Sequence, residues 1–318
     1  MRKRIGKFVL RLLFAALMVI SILKVYWEID VLNYELNLIE MKRKNQPTAE
    51  IQGKLVSKTI DVNGCEVHYV VSKEKKEKSI VFLHPAFADN TIFSEQFAAF
   101  MDEYTVIAVD LVGHGLTKTK GSKDKIDASR DHIAQILEQE GIQRTNLVGV
   151  SIGSLIAQYF ALKYPEKVHS LTALGGYNIN KTNDEIAKSQ RLSNIGLVVR
   201  ALFSMKAFRK KSAEISCASA HGRALFYNSS KFYTRSSFSK MQGLSKVIAD
   251  RNVTEVSYPT FILTAEHDID LAKRMAESWH KESTNSEYLM IDGAGHCANV
   301  DQPEAFNRAL RDFLDRNN

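Results

Sequence analysis

From Leu55 onward, short and mostly apolar runs alternate with stretches whose apolar residues recur every three or four positions. The runs Ser79 to Leu83, Thr105 to Val109, Asn146 to Val150, His169 to Leu174, Thr260 to Thr264 and Glu287 to Ile291 carry too few polar residues for a half-solvated strand. Such runs predict strands covered on both faces, as in a parallel sheet. Helical periodicity lies between most of them, over Phe93 to Met101, Ser129 to Glu140, Ile152 to Lys163 and Ala272 to Lys281, and Glu304 to Leu314 closes the chain. Ahead of these, Val56 to Val62 and Val67 to Val71 flank Asn63-Gly64, a two-residue hairpin signal, so the sheet opens with an antiparallel pair. The pattern predicts one α/β domain over residues 55–318, a doubly wound, mostly parallel sheet of eight strands.

Two intervals break the alternation. About eighty residues separate the strand ending near Gly175 from the one beginning near Tyr258, far more than a crossover helix needs. The segment from about Ile179 to Ser239 reads as a helical cap over the carboxyl ends of the strands. It sets Arg200, Lys206, Arg209, Lys210 and Lys211 among Leu202, Phe203, Met205 and Phe208, a basic amphipathic stretch suited either to anionic lipid or to water.

The other break is at the amino terminus. Arg2, Lys3, Arg4 and Lys7 precede an apolar segment from Phe8 to Trp27, uninterrupted only from Leu12 to Leu23. No small-residue cleavage site follows, so residues 1–27 read as an uncleaved signal-anchor, with a cleaved signal and an interfacial helix as the other possibilities. Arg11 and Lys24 must then snorkel if the segment spans a bilayer. The basic leader puts the domain that follows on the extracytoplasmic side, and Lys42-Arg43-Lys44 on the other flank pulls against that orientation. Residues 28–54, with a single Pro47, read as a helical stalk followed by a linker.

The net charge of +7 is concentrated where it bears on a membrane, because residues 1–50 hold nine Lys/Arg against five Asp/Glu. The remaining chain gives no reason to expect a nucleic-acid partner. Cys65, Cys217 and Cys297 are too few and too scattered for a disulfide framework, and no paired spacing suggests zinc, so free thiols, no metal and no cofactor are expected.

The chemistry concentrates at Gly149-Val150-Ser151-Ile152-Gly153, a Gly-x-Ser-x-Gly set between a strand and a helix. A strand that turns at once into a helix leaves no room for bulk on either side of the turn, and the two glycines meet that need. The hydroxyl of Ser151 is thereby lifted above the sheet, with the amide of Ile152 and the positive helix end facing whatever it attacks. A serine needs a base, and the base an orienting group. Asp268 follows one strand in Thr264-Ala265-Glu266-His267-Asp268, and His296 follows the next in Asp292-Gly293-Ala294-Gly295-His296. Asp270 competes with Asp268 for the carboxylate role. Glu266 reads as a solvated loop residue, His84 and His114 as loop-stabilising hydrogen bonders, and Cys297 as a packing residue.

From about Leu55 to the carboxyl terminus the chain resembles the α/β-hydrolase fold superfamily, serine esterases and lipases with a cap. Leu83-His84-Pro85-Ala86-Phe87 stands where that superfamily carries His-Gly and its first oxyanion donor, and Asp110-Leu111-Val112-Gly113-His114-Gly115-Leu116-Thr117 where it carries Asp-x-x-Gly-x-Gly-x-Ser. The resemblance implies a catalytic Ser151, Asp268 and His296, and an oxyanion hole made by the amides of Ala86 and Ile152. Pro85 for glycine and Thr117 for serine are departures. The expected activity is hydrolysis of a small or lipid-like carboxylic ester by a membrane-tethered serine hydrolase. Peptidase, carbon–carbon bond hydrolase and cofactor-free peroxidase chemistry, and a tethered binding protein without turnover, are the alternatives. Substrate identity and oligomeric state are not readable here.

Overall fold

The computed structural model describes residues 2–44, 53–119, 121–182, 184–251, 253 and 256–317. Its strands are β1 (Leu55–Val62), β2 (Cys65–Ser72), β3 (Ser79–Leu83), β4 (Thr105–Val109), β5 (Thr145–Val150), β6 (Val168–Leu174), β7 (Thr260–Ala265) and β8 (Ser286–Ile291). They form one sheet in the order β1-β2-β4-β3-β5-β6-β7-β8. The β1/β2 and β2/β4 pairs are antiparallel and all others parallel. At the hairpin tip Asn63 and Gly64 both take positive φ, 54° and 79°, as the sequence signal requires.

Alternation within the strands decides which core each residue joins. Val81 and Leu83 face one side with Ile133 and Leu137 of α3 (Ser129–Gln139) and Ile156 and Phe160 of α4 (Ile152–Lys163). Ile80 and Phe82 face the other with Phe97 and Phe100 of α2 (Ser94–Phe100) and Phe306, Leu310 and Phe313 of α11 (Pro303–Asn317). Helices on both faces cover β3, β4 and β5 completely, which is why these strands are apolar throughout.

The long interval is helical: α5 (Asp184–Phe203), α6 (Met205–Ser216), α7 (Ala220–Ser229), a 3₁₀ stretch Arg235–Gly243 and α8 (Leu244–Val247). It continues past Ser239 because Val247 is fully buried in the same core as α4. After β7 comes α9 (Asp270–Glu282), and Ala298–Asp301 (α10) precedes α11.

At the amino terminus α1 (Arg2–Lys44) is one unbroken helix. Its stretch Val9–Ile29 has a mean hydropathy of 2.1 and none of it is buried against the protein. The linker expected around Pro47 lies outside the described residues. Of the five basic residues singled out in the insertion, three are engaged by partners within it. Arg209 donates to the carbonyls of Ser230, Lys231 and Tyr233, and Lys210 and Lys211 share Glu214. Arg200 instead stacks on the Trp27 ring of α1 at 5.5 Å.

Two glycines of helices test this packing in opposite directions. A Cβ on Gly153 would stand 2.0 Å from the Leu83 carbonyl oxygen, whereas one on Gly196 meets nothing nearer than 3.6 Å. Gly153→Ala should therefore cost at least about 2 kcal/mol, and Gly196→Ala should stabilise by roughly 0.5–1 kcal/mol. Thermal denaturation of both variants checks the pair of signs.

Candidate active site

The parallel core strands all end at one edge of the sheet, and the three predicted polar residues leave it in adjacent loops. Ser151 follows β5, Asp268 follows β7 and His296 follows β8, with β6 between the first two. Ser151 sits at φ 53°, ψ −118°, a backbone conformation that L side chains rarely adopt. Its N–H donates to the Leu174 carbonyl at 2.8 Å, and Ser154 N–H returns to the Ser151 carbonyl at 2.9 Å. A Cβ on Gly149 would overlap Ser154 at 2.4 Å, so both glycines of the pentapeptide are required by close contact.

His296 is held from two sides. Its Nδ1 lies 3.0 and 2.9 Å from the two carboxylate oxygens of Asp268. Its ring rests on Gly175, where an added Cβ would come within 2.8 Å of Cε1. Gly175 directly follows Leu174, the residue that accepts the Ser151 N–H, so imidazole and serine flank the same strand end. Among the described residues Nε2 of His296 has no hydrogen-bonding partner, and no bond links it to Ser151 Oγ. The imidazole side chain keeps 25% of its surface exposed and the Asp268 carboxylate 2%. Burial disfavours the charged ring, but the Asp268 charge and hydrogen bond outweigh it and the His296 pKa rises above its ordinary value. Burial likewise works against the Asp268 carboxylate, and here too the pair wins, holding its pKa below the usual range. Asp270 takes no part; it opens α9, largely exposed, and pairs with Lys273 at 3.1 Å.

The Pro85 to Ala88 segment closes a turn through Ala88 N–H to the Pro85 carbonyl at 3.3 Å, with Phe87 at φ 73°. Positive φ at the third residue is the signature of a type II turn. Proline stands at its first position, where no N–H is needed, and the Ala86 amide makes no bond to a protein acceptor among the described residues. The Ile152 amide, at the first turn of α4, has none either. Phe87 is fixed by the insertion, its ring packing edge-on to Phe208 and Tyr233 at 5.1 Å.

Surrounding groups hold the loops. His84 donates or shares Nδ1 with the Pro85 carbonyl at 2.8 Å and accepts the Leu111 N–H on Nε2 at 3.0 Å. The His114 ring packs against it, tilted by 53° with centroids 5.0 Å apart. Burial first of all lowers both pKa values, that of His114 to about 3, so neither ring carries charge near neutrality. Asp110 accepts from Asn90 twice, Leu116 and His68, and Gly115 is required because a Cβ there would meet its carboxylate at 2.1 Å. Thr117 supplies the hydroxyl that serine would, donating to the Asp110 carbonyl at 2.6 Å and accepting His68 N–H at 3.0 Å. Glu266, although exposed, accepts the Gly293 N–H at 2.8 Å and so joins the loops of Asp268 and His296.

Sequence reasoning missed Asp301. Its carboxylate accepts from Gly295 N–H beside His296 and from Ala218 N, Ser219 N and Ser219 Oγ of the insertion, all at 2.7–2.9 Å. Only its place at the end of a short helix hinted at a loop role. Cys297 is fully buried, and its N–H donates to the Ser216 carbonyl at 2.9 Å. Cys65, Asp124 and His132 bring potential ligand atoms within 4.8 Å of one another. That group includes none of residues 86, 151, 152, 268 and 296. His132 and Asp124 already bond each other at 3.0 Å, and burial chiefly raises the Cys65 thiol to about 11, away from the thiolate a metal would need.

Residues 79–195 match the family described as alpha/beta hydrolase fold. The chain is 21% identical over 266 residues to a 3-oxoadipate enol-lactonase of Acinetobacter baylyi, covering 82% of this chain and 97% of that protein. A solved esterase of Exiguobacterium antarcticum superposes with a TM-score of 0.70 at 19% identity, over 82% of this chain and all of that one. A structure described as a membrane phospholipase A superposes with a TM-score of 0.68 at 18% identity, and the likeness spans 99% of this chain and 98% of that one. Sheet order, family match and these neighbours agree that the chain has the α/β-hydrolase fold.

Proposed function

We propose that the chain is a membrane-anchored serine hydrolase that cleaves carboxylic esters through an acyl-enzyme, with Ser151 as nucleophile, His296 as general base and acid, and Asp268 as the orienting carboxylate. The observation that carries the reading is the Asp268–His296 pair resting on Gly175, beside the strained turn of Ser151. In the first step Oγ attacks the substrate carbonyl carbon while its proton passes to Nε2. The developing oxyanion is met by the Ala86 and Ile152 amides, each such donor contributing a factor on the order of 10²–10³. Collapse expels the alkoxide, which takes the proton from His296, and a water deprotonated by the same nitrogen releases the acid. An ester fits because an alkoxide leaves with only that proton, and the relatives include an enol-lactonase and esterases. The exposed apolar stretch of α1 supports the anchor. The basic leader supports an extracytoplasmic catalytic domain.

Ser151→Ala should abolish labelling by a fluorophosphonate probe and lower turnover of p-nitrophenyl esters by a factor on the order of 10⁶. Labelling that survives this substitution would refute the assignment. The pH profile follows from the same pair. Since Asp268 raises the His296 pKa above 6.5, and only the neutral ring is a base, the acid limb of kcat/KM should have its midpoint above that value. In Asp268→Asn the stabilising charge is gone while burial remains, so the midpoint should move below 6.5 and the rate should drop by roughly 10⁴. Initial rates across the pH range check both the direction and the loss.

A further inference from the structure

We infer that the outer face of α5 is a membrane-docking surface, which holds the helical insertion against the lipid bilayer that α1 spans; the inference rests on the anchor reading above. Ile195, Val198, Val199 and Leu202 recur at the spacing of one helix face, and they are 61%, 39%, 41% and 61% exposed. Side chains so spaced form one apolar stripe. The buried side of the same helix is already used, with Leu197 and Ala201 packed on Phe208 and Tyr233. The stripe is therefore left over after the fold is complete.

What covers it follows from where the insertion touches α1. Arg200 stacks on Trp27 at 5.5 Å, and Lys206 closes a groove whose other wall is Ser21, Lys24, Val25, Glu28, Ile29 and Leu32 of α1. These positions straddle the carboxyl end of the apolar stretch Val9–Ile29. Twenty-one helical residues measure about 31 Å, the thickness of the hydrocarbon layer, so the contact falls at the boundary between hydrocarbon and headgroups. Of the three charges in that stretch, Lys24 and Glu28 line the groove together with Lys206, and Arg11 lies near its other end. A tryptophan with an arginine on its ring is the pair expected at headgroup level. An apolar helix face with flanking cations at this level lies in the plane of the membrane, buried about 5–10 Å. Docked so, the insertion shields the loops of Ser151 and His296 from one side and presents them next to the lipid from which an acyl ester would come.

The test uses the full chain in phospholipid vesicles containing nitroxide-labelled lipid, with a bimane fluorophore on a single introduced cysteine; the native thiols are buried. Three variants are compared: Leu202→Cys on the stripe, Leu17→Cys in the apolar stretch, and Lys78→Cys at the amino edge of the sheet. Lipid quenching at position 202 should exceed that at 78 by at least about threefold and approach that at 17. Quenching at 17 with none above background at 202 would overturn the docking and leave the anchor standing. Absence of quenching at 17 would overturn both. Disulfide-linked dimers through position 202 without lipid quenching would assign the stripe to a second copy of the chain, and so would also overturn it.

Discussion

The constraint on which the site depends is the backbone of Ser151, held at positive φ between a strand and a helix. Such a conformation costs about 1–3 kcal/mol and persists only where the surroundings over-determine it. Here the Leu174 carbonyl takes the serine's own N–H, Ser154 closes the turn, and the start of α4 is pressed so close to β3 that residue 153 can carry no side chain. The strain fixes the direction of the hydroxyl without any side-chain bond to hold it. A hydroxyl positioned by its backbone needs no hydrogen bond of its own to keep its direction.

The remaining groups reach the same rim from far along the chain, and the insertion ties them together. Asp301 bonds the loop of His296 to Ala218 and Ser219, while Phe87 of the Pro85 to Ala88 turn is wedged among Phe208 and Tyr233. The segment that shapes access to the site thus also holds its parts in register. A change in the insertion would be felt at the imidazole through the Asp301 carboxylate and at the Ala86 amide through the Phe87 ring.

The amino-terminal helix adds a second constraint. The stretch Val9–Ile29 is long and apolar enough to cross a bilayer, and the contacts of α1 with Arg200 and Lys206 fix where the insertion stands relative to that helix.

Much of this was legible in the sequence, because strand and helix periods, the hairpin glycine, the elbow and the loops of Asp268 and His296 are local patterns set by backbone geometry and solvent contrast within a few residues. The eight strands and the positions that follow them needed nothing else. What locality could not decide was which distant groups meet. Asp268 rather than Asp270 faces the imidazole because the second of them is committed to opening α9 and to Lys273. Gly175 is the floor under His296 only because β6 lies between β5 and β7. Asp301 binds a segment more than eighty positions away, and Arg209 finds its three carbonyl partners only once the helices of the insertion are packed. Sequence alone determined the elements and their chemistry; the tertiary structure decided their partners, since a partner is chosen by distance in space and no period along the chain records it.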